Sequence, residues 1–229
     1  HRVVHGGEIY KDAVEVDEKV INDIKSLIKL APLHNPANLA GILSCQKNLP
    51  HAKQFAVFDT AFHQTLPEKA FLYGLPYEFY TKHRIRRYGF HGINHKYVSK
   101  EAMAWLKNNN LPYKKIISCH LGNGCSITAI KNGKSIDTSM GFTPLQGLIM
   151  GTRSGDIDPA IPVELCQILK KTPAEIENIL NKESGLKGIS GISSDIRVLH
   201  EEDQKGNPNA RRALELFSYV LAKYICSYT

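Results

Sequence analysis

Apolar residues in this chain fall into short runs and helical stripes, punctuated by glycine and proline. Val3 and Val4 open as a strand that stops at Gly6-Gly7. Asp17 stands where it can cap a helix whose Val20, Ile21, Ile24, Leu27 and Ile28 share one face. Pro32 and Pro36 bracket APLHNP, a rigid loop that holds His34. The pattern predicts a second helix over 38–47. FAVF, at 55–58, is a fully apolar strand that runs directly into Asp59. A carboxylate at the C-terminal end of a buried parallel strand sits where α/β folds place their ligands.

Residues 64–89 read as irregular, and a domain boundary is placed near Gln64. A helix is predicted over 94–107. Residues 116–137 read as three strands joined by two hairpins, because Asn-Gly at 123–124 and 132–133 favours the type I′ turn. Residues 164–171 form a helix. Thr172-Pro173-Ala174-Glu175 is a capping box with proline at the first helical position, and Gly185 stops the helix it opens. Ser194 or Asp195 caps another, and 209–228 is a long amphipathic helix. Strands and helices alternate, so the class is α/β.

Composition narrows this picture only slightly. The chain has 229 residues, 42% of them hydrophobic, and no apolar run long enough to span a membrane. HRVVHGGE has neither the charged nor the apolar region of a signal peptide, and reads as a strand entered midway. The five cysteines are scattered with no CxxC pair, which argues against a zinc ribbon or a disulfide framework and for a reduced, cytoplasmic protein. The net charge of +7 is spread along the chain apart from the run 84–87, so a solvated basic surface is preferred to a nucleic-acid footprint, and a small-anion site is compatible.

The candidate chemistry lies in a few stretches. In HLGNG, Gly122 and Gly124 leave the backbone bare, with Asn123 and His120 beside it, a nest suited to phosphate. GKS at 133–135 is not a P-loop, because Thr128 stands where the first glycine belongs and a strand follows. GNGCSI likewise fails the dinucleotide fingerprint. MGTRSGDIDP offers Arg153 on a glycine-rich loop, a planar fork of donors for phosphate or carboxylate, while Asp156 and Asp158 read as turn and cap residues. His91 and His95 stand four apart, but Gly89 and Gly92 argue against regular helix at His91 and no third zinc ligand suggests itself. Arg2, at a strand start beside bare glycines, completes a set of two arginines, a histidine, a strand-end Asp and a glycine hairpin that suggests phosphoryl transfer.

In the order RVVHGGE, APLHNPAN, FDTAFH, RRYGFHG, HLGNGCS, DTSMGFTPLQGL, MGTRSGDIDP and SSDIR, these stretches resemble acetate kinase. The resemblance implies a two-domain actin-like (ribonuclease H-like) ATPase fold, with residues 1–64 part of the first domain and 65–229 most of the second, nucleotide-binding one. It implies ATP, acetate and Mg²⁺, giving acetyl phosphate and ADP, and a homodimer. It assigns Arg2 and Arg153 to the transferred phosphoryl group, His91 to the transition state, and Asp59 to the carboxylate near the metal. No certain metal ligand is assigned within the chain. Val4, Leu33, Phe90 and Pro144 match the acetate methyl pocket. His120, Gly122, Asn123 and Gly124 match the ATP-phosphate hairpin, Asp195 and Arg197 the adenosine contacts, and His34 a loop histidine near the site. Departures fall at Ile93, Asn94, Gln146 and Val198. The family's N-terminal phosphate loop and its C-terminal adenine loop and magnesium-binding Glu have no counterpart here. The sequence therefore reads as a central part of a longer protein, with little or no kinase activity expected of the 229 residues alone. Propionate kinase and a non-catalytic nucleotide-binding or interaction module stay open as alternatives.

Overall fold

The computed structural model describes residues 1–32 and 34–229; Leu33, assigned above to the methyl pocket, lies outside the described residues. Contacts divide the chain into two compact units, 1–118 with 128–143, and 119–127 with 144–229. Gln64 falls inside the first of them.

In the first unit, β1 (Arg2–Val3), β2 (Val14–Glu15) and β3 (Phe55–Phe58) form a sheet in the order β1-β3-β2. β1 runs parallel to β3, with Val3 opposite Phe58, and β2 runs antiparallel to β3, so the sheet is mixed. The strand FAVF is not buried throughout: Phe55 is exposed, while Ala56 and Phe58 join Val3, Ile24 and Ile42 in the core. Asp17 caps α1 (Glu18–Ser26), accepting from the Val20 amide at 2.8 Å. The apolar stripe continues past α1 as a 3-10 turn over Leu27–Leu30. α2 (Asn35–Asn48) begins three residues before the predicted start, because Pro36 occupies its first turn, where a missing N–H costs nothing.

The stretch read as irregular holds two short helices, α3 (Glu68–Phe71) and α4 (Tyr77–His83), each preceded by a proline. The basic run beyond them turns partly inward. Arg86 is buried, with its guanidinium on Glu8 at 2.7 Å, and Arg87 donates to the carbonyls of Thr138, Ser139 and Met140.

α5 (Gly92–Asn108) precedes the hairpin strands β4 (Lys115–Leu121), β5 (Cys125–Lys131) and β6 (Lys134–Thr138), ordered β4-β5-β6. At the second turn Asn132 and Gly133 both take positive φ, 52° and 75°, as a type I′ turn needs. The first turn departs from expectation, since neither Asn123 nor Gly124 has positive φ. Its backbone is pinned elsewhere: the Gly122 amide donates to the Gly124 carbonyl at 3.1 Å, and the Asn123 carbonyl accepts from Gly151.

The second unit is helical beyond the hairpin tip. α6 (Ala160–Leu169) precedes α7 (Pro173–Lys182), which carries the predicted capping box of Thr172 and Glu175. α7 ends at Lys182, and Gly185 opens α8 (Gly185–Ser190) rather than closing α7. Asp195 caps α9 (Ile196–Gln204), and Asn207 caps α10 (Pro208–Ser227). Leu199, Ala210, Ala213 and Phe217 bury where α8, α9 and α10 pack. Among the described residues, no helix is long and apolar enough to cross a membrane.

Candidate active site

In the first unit, parallel pairing sets Arg2 and Asp59 at neighbouring strand ends, with the Asp59 amide on the Val3 carbonyl at 3.0 Å. The Asp59 carboxylate, 3% exposed, takes Arg2 Nη2 at 2.6 Å and Nε at 3.1 and 3.2 Å. Arg2 is 62% exposed, so a buried carboxylate holds a guanidinium that still presents donors to solvent. That hydrogen bond raises the Arg2 pKa above its ordinary value, keeping it charged.

Past β1 the ladder gives way to side chains of α2. The Val4 amide donates to Asn38 Oδ1 at 3.0 Å, and His5 exchanges two bonds with Asn35, whose Oδ1 accepts from its amide and whose Nδ2 donates to its carbonyl, both at 3.1 Å. The Gly6 amide donates to Thr60 Oγ1 at 3.0 Å. These polar side chains satisfy a buried backbone that leaves its sheet. The sequence reading missed Asn35, Asn38 and Thr60; the signal was two asparagines three apart at a helix start, followed 25 residues after Asn35 by a threonine next to Asp59. Val4 and Phe90 are both buried, and the His5 ring stands edge-on to Phe90 with centroids 5.6 Å apart. His34, half-buried, stands at the N-cap of α2.

His91 is the N-cap of α5 and takes the left-handed conformation, φ 57°. The next residue explains its place beside Asp59. The Gly92 amide donates to the Asp59 carbonyl at 2.9 Å, and a Cβ at Gly92 would collide with that oxygen. His95, four residues on, is buried with Nδ1 on Ser118 Oγ at 2.9 Å, so its ring serves the interior.

In the second unit, the hairpin tip and the MGTRSG loop dock on each other. The Gly151 amide donates to the Asn123 carbonyl at 3.1 Å, and a Cβ at Gly151 would overlap Asn123 Oδ1. A cavity of about 410 Å³ opens here, lined by Gly122, Asn123, Cys125, Leu186, Ser194 and Asp195 among others. It gathers three predicted nucleotide residues from sites about 70 positions apart in the chain. Leu186 was not singled out by sequence, and Ser194 only as a possible helix cap. Burial pushes the Cys125 thiol up to about 11, so it stays protonated at neutral pH.

Arg153 is half-buried on the docked loop, with Nη1 on the Pro144 carbonyl at 3.1 Å. Burial lowers its pKa, and among the described residues it makes no ion pair. A half-buried guanidinium with no carboxylate partner is suited to an anion. Asp195 accepts from the Arg197 amide and pairs with its guanidinium at 2.7 Å, which leaves Arg197 88% exposed beyond the cavity wall. His120 is half-buried on β4, and Gly124 lies in the turn between β4 and β5.

A larger cavity of about 620 Å³ lies between the 147–157 loop, α8 and α10, and is lined by none of the site residues predicted from sequence. Among the described residues no group of three or more His, Cys, Asp or Glu could hold a metal. The candidate carboxylate, Asp59, has both oxygens on Arg2; Mg²⁺ is commonly held by one or two carboxylates together with substrate phosphates.

The first unit of this mixed α/β fold thus holds a strand-end carboxylate bonded to arginine, and the second holds a glycine-bare hairpin on a cavity and, among the described residues, an arginine without an ion pair; groups of these kinds serve phosphoryl transfer. The Acetokinase family model matches residues 1–229, and the chain belongs to that family. It is 57% identical over 228 residues to the acetate kinase of Dictyoglomus thermophilum, covering all of this chain and 57% of that protein. Two crystal structures share its fold over all of this chain. The acetate kinase of Porphyromonas gingivalis superposes with a TM-score of 0.92 at 47% identity, with 57% of that chain covered. The propionate kinase of Francisella tularensis superposes with a TM-score of 0.95 at 51% identity, with 58% covered. The chain thus spans just over half the length of the relatives it matches.

Proposed function

We propose that the natural polypeptide carrying this chain is an acetate kinase that reversibly transfers the γ-phosphoryl group of ATP to acetate. An acetate carboxylate oxygen attacks phosphorus in line, the bond to the β-phosphate bridging oxygen breaks, and its electron pair leaves with ADP. The products are acetyl phosphate and ADP. No covalent enzyme intermediate is needed, so the protein's task is positioning and charge stabilisation.

The observation that carries this reading is the 410 Å³ cavity that brings Gly122, Asn123 and Asp195 together, with the loop bearing Arg153 docked on its hairpin. The bare hairpin backbone takes nucleotide phosphates and Asp195 the nucleoside end, with Gly124, His120 and Arg197 flanking. Arg153 takes charge developing on the transferred group, and its half-burial strengthens that interaction. Arg2, steered by Asp59, presents its remaining donors to the acceptor carboxylate. His91 donates a hydrogen bond to an equatorial phosphoryl oxygen. By the family resemblance Val4 and Phe90 in the first unit and Pro144 in the second are assigned to the acceptor methyl group, and His34 to a loop near that site. Asp59 would hold Mg²⁺ together with the nucleotide phosphates, and the ion would supply charge neutralisation there. The setting we propose is a cytoplasmic homodimer, with the 229 residues alone silent or nearly so.

Formation of acetyl hydroxamate with ATP, Mg²⁺ and acetate, measured for the natural polypeptide and for the 229-residue chain, tests this directly. Product from the natural polypeptide supports the reading; nucleotide binding without turnover would move it to a non-catalytic module. The likeness to a propionate kinase structure favours one second reading, propionate as acceptor. A methylene is worth about 1–3 kcal/mol, so relative kcat/KM on the two acids decides between them.

A further inference from the structure

We propose that His63 is a positioning residue for His91: its Nε2–H clamps the carbonyl of Phe90 and so fixes the peptide plane from which the left-handed His91 projects. This rests on the reading that His91 serves phosphoryl transfer.

His63 is fully buried in the turn over Ala61–Thr65 that follows Asp59. Its Nε2 lies 2.9 Å from the Phe90 carbonyl oxygen, and its Nδ1 lies 2.9 Å from Ser135 Oγ on β6. A carbonyl can only accept, so Nε2 carries the proton and Nδ1 accepts from the Ser135 hydroxyl. The ring is held by its surroundings as well. His95 packs against it with centroids 5.9 Å apart, and Thr65 Oγ1 donates to the Ser135 carbonyl at 2.8 Å, tying the turn to β6.

What this holds is conformationally costly. A non-glycine residue in the left-handed region is strained and persists where its surroundings over-determine it. Both peptide units flanking His91 are bonded. The Phe90 carbonyl before it takes His63, and the Gly92 amide after it donates to the Asp59 carbonyl. The loop closes on itself, since Asp59 and His63 belong to one strand-and-turn segment. The catalytic Asp59 and His91 are thereby set from a shared backbone frame, with His63 as the side chain that completes it. Burial lowers the His63 pKa to about 4, so it keeps this tautomer through the neutral range.

The test compares kinetics of the natural polypeptide with His63→Leu, His63→Gln, His91→Ala and the double variant His63→Leu/His91→Ala. Misplacing a transition-state group by about 1 Å can cost about a hundredfold. We expect His63→Leu to lower kcat by about ten- to a hundredfold, with KM for ATP and acetate within about twofold. Glutamine retains an N–H for the Phe90 carbonyl and should restore most of that loss, while the double variant should be no slower than His91→Ala. Wild-type kcat in a folded His63→Leu, alongside an impaired His91→Ala, overturns the inference. Wild-type kcat in His91→Ala instead overturns the reading of the site. Nitrogen-15 NMR of the unsubstituted chain tests the clamp even where the variants do not fold. A protonated Nε2 coupled to the Phe90 carbonyl is expected, and an Nδ1–H tautomer contradicts it.

Discussion

Arg2 and Arg153 carry the same charge in opposite settings. Arg2 is exposed and steered by a buried carboxylate; Arg153 is half-buried with no acidic partner among the described residues. Replacing Asp59 by Asn removes the charge that orients Arg2, and should raise KM for acetate in the natural polypeptide. An unchanged KM would show that Arg2 is oriented by other means. Two buried histidines set a pH dependence. Burial drops His5 to about 3 and His63 to about 4, below the ordinary value near 6.5 of an unfolded chain. The unfolded state therefore binds protons that the native state refuses. Stability is full above about pH 6.5 and falls as pH drops towards 4, by up to about 1.4 kcal/mol per pH unit for each histidine. Urea midpoints between pH 7.5 and 4.5 check this, and a flat profile contradicts it. At this scale the sequence made Arg2, Arg153 and Asp59 candidates, because arginine on bare loops and Asp at a strand end are local patterns. It did not single out Asn35, Asn38 or His63, whose partners lie 27 to 72 residues away.

Elements were legible where their signals were local. Asp17, Thr172 with Glu175, and Asn132-Gly133 act in the structure as their side chains and backbone preferences dictate. The first hairpin turn was not, because the partner that pins Asn123 is a loop near residue 151. Gly185 misled for the same reason: a Cβ there would collide with the Met150 carbonyl, so tertiary contact demands the glycine. Gly92 makes the sharpest prediction at this scale. Helix propensity alone says that Gly92→Ala should stabilise α5 by about 1 kcal/mol. The collision with the Asp59 carbonyl reverses the sign, and a loss of stability with a displaced Asp59–His91 frame is expected. A raised melting temperature would contradict it. Thr172→Ala, by contrast, removes an exposed cap and should cost about 1 kcal/mol in a denaturant titration.

Over the whole molecule, the candidate residues are shared between two compact units. Arg2, Val4, Asp59, Phe90 and His91 lie in the first; the hairpin tip, Pro144, Arg153, Asp195 and Arg197 lie in the second. The alternation of strand and helix marked the α/β class, but not this division, which depends on a hairpin whose tip packs apart from its base. Family membership extends over the full 229 residues, and the proposed phosphoryl transfer turns on Arg153 as the group that would meet the transferred phosphoryl charge. The most direct measurement is acetyl phosphate formation by the natural polypeptide with Arg153→Ala, alongside its circular dichroism and melting. Arginines that stabilise phosphoryl-transfer transition states are worth about a thousandfold or more in kcat, so a loss of that order in a folded variant is the predicted result. Retention of wild-type kcat by the folded variant would contradict the account.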